Sequence, residues 1–308
     1  MIGARAAVAL ALVLAAGRAD GAGGPLAIVT TTTDLKALVE VVGGEAVVVE
    51  SLAPPRHDPH GVEVKPGQIT RLRGAALLVR VGLDHEPWLR RVLDTVGDPE
   101  LAAGGRRDLD LSRGVALLQT ETPRLRVDRA TPHVHAFGNT HYWLDPENTR
   151  PMTAAIAAAL GRLAPEQRPG FEDRRRRFLE QLDARLVRWR RALAPHGGAR
   201  LVAVHDTWPY FAARFGLVVV ATVEATPGVP PSPAALGLLV ERMRASGVRV
   251  LVTEPYTSAT LARRIAEQSG ARAVTLVPSV GAERGVDGYL ALVDVNVARL
   301  AEALEAPR

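Results

Sequence analysis

Pro165–Ala194 reads PEQRPGFEDRRRRFLEQLDARLVRWRRALA, and this stretch decides the architecture. Its apolar residues Phe171, Phe178, Leu182, Leu186, Trp189 and Leu193 are spaced by 7, 4, 4, 3 and 4, which keeps one stripe in register along an α-helix. A helix of about 30 residues is ~45 Å long at ~1.5 Å per residue, enough to cross a whole molecule. The arginines at 174–177, 185, 188 and 190 fall mostly off the stripe and read as a solvated face. Pro195 and Gly197-Gly198 then stop the helix.

On both sides of this helix, strand-like and helix-like patterns alternate. Before it come strands over 27–31, 47–52 and 76–81 and helices over 34–42, 66–74, 86–96 and 146–163, with Asp34 placed to cap the first helix. The region 97–141 has weak periodicity and reads partly as loop. After the long helix come strands over 201–204, 217–222, 248–253 and 273–277 and helices over 206–215, 232–246, 258–270 and 287–304. Strands separated by helices of this length imply parallel sheets covered on both faces. The expected fold is therefore α/β: a lobe over 25–164, a linking helix over 165–195 and a second lobe over 199–308. No short tandem repeat is present.

The 308 residues suit two domains, and 47% apolar with 23% charged residues supports packed cores. Cysteine is absent, which excludes disulfides, thiolate metal sites, cysteine nucleophiles and a lipid anchor through an N-terminal cysteine. The net charge of +5 is an arginine bias spread along the chain; Lys36 and Lys65 are the only lysines, and no nucleic-acid motif accompanies it. Residues 1–22 read as a secretory signal peptide: Arg5, then the apolar run AAVALALVLAA over 6–16, then small residues, with cleavage near Ala19 or Ala22. The run is too short for a transmembrane helix, which needs ~20 residues. The expected mature protein is a periplasmic monomer with no inserted segment.

The residues suited to chemistry are histidines. Of eight, His60, His141 and His205 stand in marked settings. His60 lies in Pro54-Pro55-Arg56-His57-Asp58-Pro59-His60-Gly61. His141 lies in Asn139-Thr140-His141-Tyr142-Trp143-Leu144-Asp145-Pro146-Glu147-Asn148. His205 ends the strand LVAV and is followed by Asp206-Thr207-Trp208-Pro209-Tyr210-Phe211. In open α/β sheets ligands bind at the carboxyl ends of strands, where His205 falls. Imidazole nitrogen suits zinc and, less strongly, other first-row metals.

These segments resemble the metal-binding solute-binding proteins of ABC importers, the cluster A-I family that takes up zinc or manganese. The resemblance rests on Asp58-Pro59-His60 continuing to Glu63-Val64-Lys65-Pro66, on Val81-Gly82-Leu83 with Glu86-Pro87-Trp88-Leu89, and on His141 with Trp143 to Asn148. It is completed by His205-Asp206 with Tyr210-Phe211 and Phe215-Gly216-Leu217, by Val250 to Pro255, and by Gly270, Tyr289-Leu290 and Asn296. It runs from about residue 26 to 304.

The resemblance implies a non-enzymatic protein that captures a divalent metal in the cleft between two lobes and delivers it to a membrane permease. His60 and His141 would come from the first lobe and His205 from the second, with the long helix as a rigid spine. Family members commonly add an aspartate after the last strand, but here Thr275-Leu276-Val277-Pro278-Ser279-Val280 holds no carboxylate. Glu254 is preferred as the fourth ligand because it too ends a parallel strand, although a structural role for it is as well supported. Glu224, His57 and water are the other candidates. Three histidines favour zinc, whereas manganese or iron prefers more carboxylate oxygen. Binding should weaken as the pH falls through ~6.5. His133 and His135 read as a polar loop or a low-affinity collection point and stay outside the site. A zinc hydrolase is disfavoured, since His57-Asp58-Pro59-His60 lies in a proline-rich loop and no His-Glu-x-x-His or Gly-x-Ser-x-Gly motif occurs. An adhesin-like interaction protein would fold and bind its partner without metal.

Overall fold

The computed structural model describes residues 24–119, 138–224 and 231–306. The expected signal peptide and the His133-Val134-His135 loop lie outside the described residues. In the first half the order is β1 (Leu26–Thr30), α1 (Thr33–Gly43), β2 (Val47–Ser51), α2 (Pro66–Gly74), β3 (Leu77–Arg80), α3 (Leu89–Val96), β4 (Asp108–Asp110) and α4 (Thr149–Leu163). The long helix α5 (Arg168–Leu193) follows, with single 3-10 turns at Pro165–Gln167 and Ala194–His196. The second half runs β5 (Arg200–Ala203), α6 (Pro209–Arg214), β6 (Val218–Thr222), α7 (Pro233–Ala245), β7 (Val250–Thr253), α8 (Ala259–Ser269), β8 (Arg272–Thr275) and α9 (Tyr289–Glu305).

All strand pairings are parallel, in the orders β2-β1-β3-β4 and β6-β5-β7-β8. The two sheets thus share one topology. Each reverses direction of winding beside its first strand, which opens a crevice at the carboxyl ends of β1 and β3 in one lobe and of β5 and β7 in the other.

Side-chain alternation along the strands builds the layers. Val29 and Leu78 point to an outer cluster closed by Leu72 of α2 and by Leu89 and Val96 of α3. Val202 and Leu251 point to a matching outer cluster with Leu236 and Met243 of α7 and Ile265 of α8. Ile28, Leu77 and Val79 of the first sheet and Leu201, Ala203, Val250 and Val252 of the second all join one central cluster. That cluster also takes in the whole α5 stripe, Phe171 to Leu193, with residues of α1, α4 and α9. The lobes therefore share a core across the long helix rather than meeting through a thin hinge. Arg176 and Arg177 of α5 are exposed and pair with Asp173 and Glu180 at helical spacing, whereas Arg174, Arg175 and Arg185 are half-buried and reach the Val42 carbonyl, the Arg150 carbonyl and Asp294 on α1, α4 and α9.

Several local expectations are corrected. Asp34 is not the cap of α1. Thr32 is, its hydroxyl accepting from the Leu35 amide. Asp34 is instead fully buried, and its Oδ1 accepts from the Val280 amide of the second half at 2.9 Å. The helix expected from Glu86 starts at Leu89, Glu86 being engaged by the Val81 and Gly82 amides, and the one expected from Asp206 starts at Pro209. Pro146–Asn148 is a 3-10 turn ahead of α4. The strand β4 was not expected. Its three residues carry no apolar alternation and are fixed by charge, with Arg80 paired to both Asp108 and Asp110.

Burial pushes the Asp34 carboxyl up to about 7 against the lowering pull of its Val280 and Ser279 hydrogen bonds. A carboxyl whose folded pKa is raised holds its proton in the native state while the unfolded chain has lost it. Its contribution to stability is greatest below the unfolded value and declines as the pH rises toward 7. Asp34→Asn keeps an oxygen for the Val280 amide and removes the ionisation. The variant is expected to fold and to flatten part of the fall in apo-protein Tm between about pH 4 and pH 7, measured by thermal denaturation across that range.

Candidate metal centre

The site residues sit on loops that leave the carboxyl ends of the strands. His60 is in a 3-10 turn, Pro59–Gly61, downstream of β2. Asp58 caps that turn, its Oδ1 accepting from the His60 amide at 2.9 Å, and the Trp88 indole donates to the Pro59 carbonyl at 2.8 Å. His141 precedes a second 3-10 turn, Tyr142–Leu144, and both imidazoles are buried.

The two rings face each other, with His60 Nε2 3.4 Å from His141 Nε2. Their outer nitrogens define the tautomers. His60 Nδ1 lies 2.8 Å from the backbone carbonyl of His85, which can only accept, so Nδ1 carries the proton. His141 Nδ1 lies 3.2 Å from Asn139 Oδ1. Asn139 is itself oriented, because its Nδ2 donates to the Asp206 carbonyl at 2.7 Å and its Oδ1 also accepts the His141 amide at 2.9 Å. Both Nε2 atoms therefore turn lone pairs toward one point. This is the outer-sphere arrangement that metal-ligating histidines use.

His85 completes the cluster, although the sequence reading passed over it. Its ring centroid is 4.4 Å from that of His60 and 5.3 Å from that of His141. Among the described residues, His60, His85 and His141 are the set whose donor atoms all lie within 4.8 Å of one another and can hold a metal ion. His85 is delivered by a tight loop after β3. Gly82, Leu83 and Asp84 all have positive φ, and a Cβ at Gly82 would sit 2.2 Å from Asp110 Oδ1. Glu86 anchors the loop, accepting from the Thr31 hydroxyl and from the amides of Val81 and Gly82 at 2.5, 2.7 and 3.1 Å. Burial pushes the Glu86 carboxyl up to about 7, against these hydrogen bonds. The signal available in sequence was the histidine inside Val81-Gly82-Leu83-Asp84-His85-Glu86, a segment already singled out for its flanks.

His205 follows β5 and meets two carboxylates of the second lobe. Its Nδ1 is 3.2 Å from Glu224 Oε2 and its Nε2 is 4.0 Å from Glu254 Oε2. Glu254 is almost wholly buried, with Oε1 accepting from the Trp208 indole at 2.8 Å and Oε2 from the Thr257 hydroxyl at 3.0 Å. Burial pushes its carboxyl up to about 8. Its two hydrogen bonds oppose that rise, and nearby Glu224 adds to it. His57 is exposed and stands apart from the triad.

The loops of the two lobes are knitted together around these groups. Asn139 links His141 to the residue after His205. Tyr210 donates to the Asn139 carbonyl at 2.9 Å, and Arg214 makes two bonds to Asp145 at 2.6 and 2.7 Å. The Trp143 indole donates to the Pro278 carbonyl at 3.2 Å, and Tyr289 to the Trp143 carbonyl at 2.5 Å.

Residues 28–303 match the family model described as ZnuA, zinc-uptake complex component A, periplasmic. The chain belongs to this family. Its members are periplasmic solute-binding proteins rather than enzymes, and the family assignment makes this chain a divalent-metal binder. Among family relatives, the high-affinity zinc uptake system protein ZnuA of Paracoccus denitrificans is 27% identical over 299 residues, covering 91% of this chain and 92% of that one. The iron-binding protein YfeA of Yersinia pestis is 23% identical over 281 residues, covering 89% and 85%. A crystal structure of ZnuA superimposes with a TM-score of 0.75 at 25% identity, covering 91% of this chain and all of that one. The family fold, two lobes joined by a long helix, is the one described above.

Asn139 holds the His141 ring and spans to the second lobe. Asn139→Ala is expected to lower metal affinity by about 10–100-fold with the fold intact. Competition titration against a chromophoric chelator, alongside far-UV circular dichroism, measures both.

Proposed function

We propose that this protein, exported by its N-terminal signal peptide, captures zinc in the periplasm as a monomer and delivers it to the permease of an ABC importer. The ion is held by His60 and His141 from the first lobe and His205 from the second. The observation that carries this reading is the 3.4 Å separation of His60 Nε2 and His141 Nε2. Two nitrogens at ~2.0–2.1 Å from a tetrahedral zinc are about 3.3–3.4 Å apart. In an octahedral site with bonds of similar length the same edge is about 3.0 Å. The pair's separation is compatible with a shared tetrahedral ion, and three imidazoles suit zinc better than manganese.

Two side chains stand ready for the fourth position. Glu254 Oε2 is 4.0 Å from His205 Nε2, so sharing a tetrahedral ion requires an approach of about 0.7 Å. His85 already lies in the imidazole cluster. The relative named for iron keeps a second reading in view, in which manganese or iron is the cargo.

Three results are expected. His60→Ala and His141→Ala each lower zinc affinity by about 100-fold or more, since each removes a quarter of a four-ligand site. Wild-type affinity falls as the pH is lowered below ~6.5, because protons compete for the imidazole nitrogens. Competition among zinc, manganese and ferrous iron, read by elemental analysis, leaves zinc bound. Preferential retention of manganese or iron would transfer the assignment to the second reading.

A further inference from the structure

We infer that His85 is a metal ligand. The first lobe then supplies three imidazoles, His205 makes the fourth, and Glu254 remains a structural carboxylate. The inference rests on the metal-capture reading above and names the coordination set of that same site.

Three observations converge on it. The first is position. His85, His60 and His141 form one buried cluster in which every pair of rings is in contact, with centroids 4.4–5.3 Å apart and interplanar angles of 60–87°. Edge-on packing of this kind brings ring nitrogens together rather than stacking ring faces.

The second is tautomer. His85 Nδ1 is 2.9 Å from the Thr140 hydroxyl, on the residue next to His141. The Thr140 hydroxyl can accept, and Nδ1–H donating to it makes Nε2 the acceptor nitrogen. His60 and His141 have their Nδ1 atoms tied in the same sense. All three rings are thus held from outside by an oxygen, one of them by the backbone carbonyl of His85 itself.

The third is backbone. Non-glycine residues at positive φ are uncommon, and Leu83 and Asp84 adopt it one after the other, immediately before His85. A buried Glu86 clamps the same loop. The loop holds a costly conformation that ends in an imidazole at the centre of the cluster.

The competing carboxylate is committed elsewhere. Glu254 accepts hydrogen bonds on both oxygens, from Trp208 and Thr257. Moving it onto an ion would strain these bonds in a buried setting. Four imidazoles make an all-nitrogen site, which favours zinc, nickel or copper over manganese.

The test uses the mature full chain with zinc and with cobalt(II) as a spectroscopic stand-in. His85→Gln leaves the His85 carbonyl in place for His60. The expected result is a loss of zinc affinity of about 100-fold, with a cobalt d–d band shifted in position and intensity and an unchanged apo circular dichroism spectrum. Affinity within threefold of wild type would overturn the inference. So would a weakened affinity with an unaltered cobalt band, which would leave His85 a positioning residue. His60→Ala and His141→Ala run in parallel. If they also leave affinity unchanged, the metal-capture reading fails as a whole; if only His85→Gln is silent, this inference alone fails. A crystal structure of the wild-type protein with zinc decides the matter should the variant not fold. Zinc at ~2.0–2.1 Å from His85 Nε2 supports the assignment, and zinc coordinated without His85 refutes it.

Discussion

The Nε2 atoms of His60 and His141 stand 3.4 Å apart in a buried setting, and with both rings neutral their lone pairs face and repel each other. The arrangement persists because each ring is held from behind. The His85 carbonyl fixes His60, and Asn139 fixes His141. The loops beyond are organised around those anchors. Asp58 caps the turn that carries His60, Trp88 braces the same turn, and Glu86 gathers the amides of the loop that supplies the His85 carbonyl. The consequence is a site preorganised for a cation. An ion entering it relieves repulsion and needs little reordering of side chains, which removes a large part of the usual cost of binding.

The same economy operates between the lobes. A hinge-bending binder keeps two separate cores and closes on its ligand. Here the inner faces of both sheets and the apolar stripe of α5 form one cluster. Separating the lobes would expose Phe171, Phe178, Leu182, Leu186, Trp189 and Leu193, and each large apolar side chain costs ~1.5–3 kcal/mol when moved into water. The polar ties on the cleft side add direction. Asp34 reaches Val280, Asp145 takes both arms of Arg214, and Trp143 and Tyr289 bond across.

Periodicity carried most of the architecture. The stripe from Phe171 to Leu193 was legible because a helix that buries one face must repeat every 3.6 residues, and the paired sheets followed from apolar runs separated by helices. Elements held by something other than apolar burial were not legible. The edge strand Asp108–Asp110 depends on Arg80, a residue 28 positions away from Asp108. The buried Asp34 looked like a cap because nothing local distinguishes a carboxyl that caps its own helix from one that accepts an amide 246 positions on. The centre shows the same division. His60 and His141 stood in marked local sequence and the structure brings them together. His85 lay inside a segment read for its glycine and tryptophan. Its proximity to the other two depends on the β1–β3 crossover and on three successive positive-φ residues, none of which is written in local spacing.

The second lobe shows why residue type alone does not predict a ligand. Glu224 and Glu254 are carboxylates beside a histidine at the ends of parallel strands, the composition of an oxygen-rich site. Their geometry assigns them otherwise. Glu224 lies against His205 Nδ1, where a carboxylate orients an imidazole and strengthens its other nitrogen as a donor. Glu254 is buried, which pushes its carboxyl up to about 8, and its two oxygens accept from Trp208 and Thr257. In the inferred coordination set the acids position the ligands, and the atoms facing the ion are nitrogens. A site whose inward atoms are nitrogens discriminates against manganese by ligand chemistry. In the proposed site, metal preference depends on the hydrogen-bond partners behind the ligands as much as on the ligands themselves.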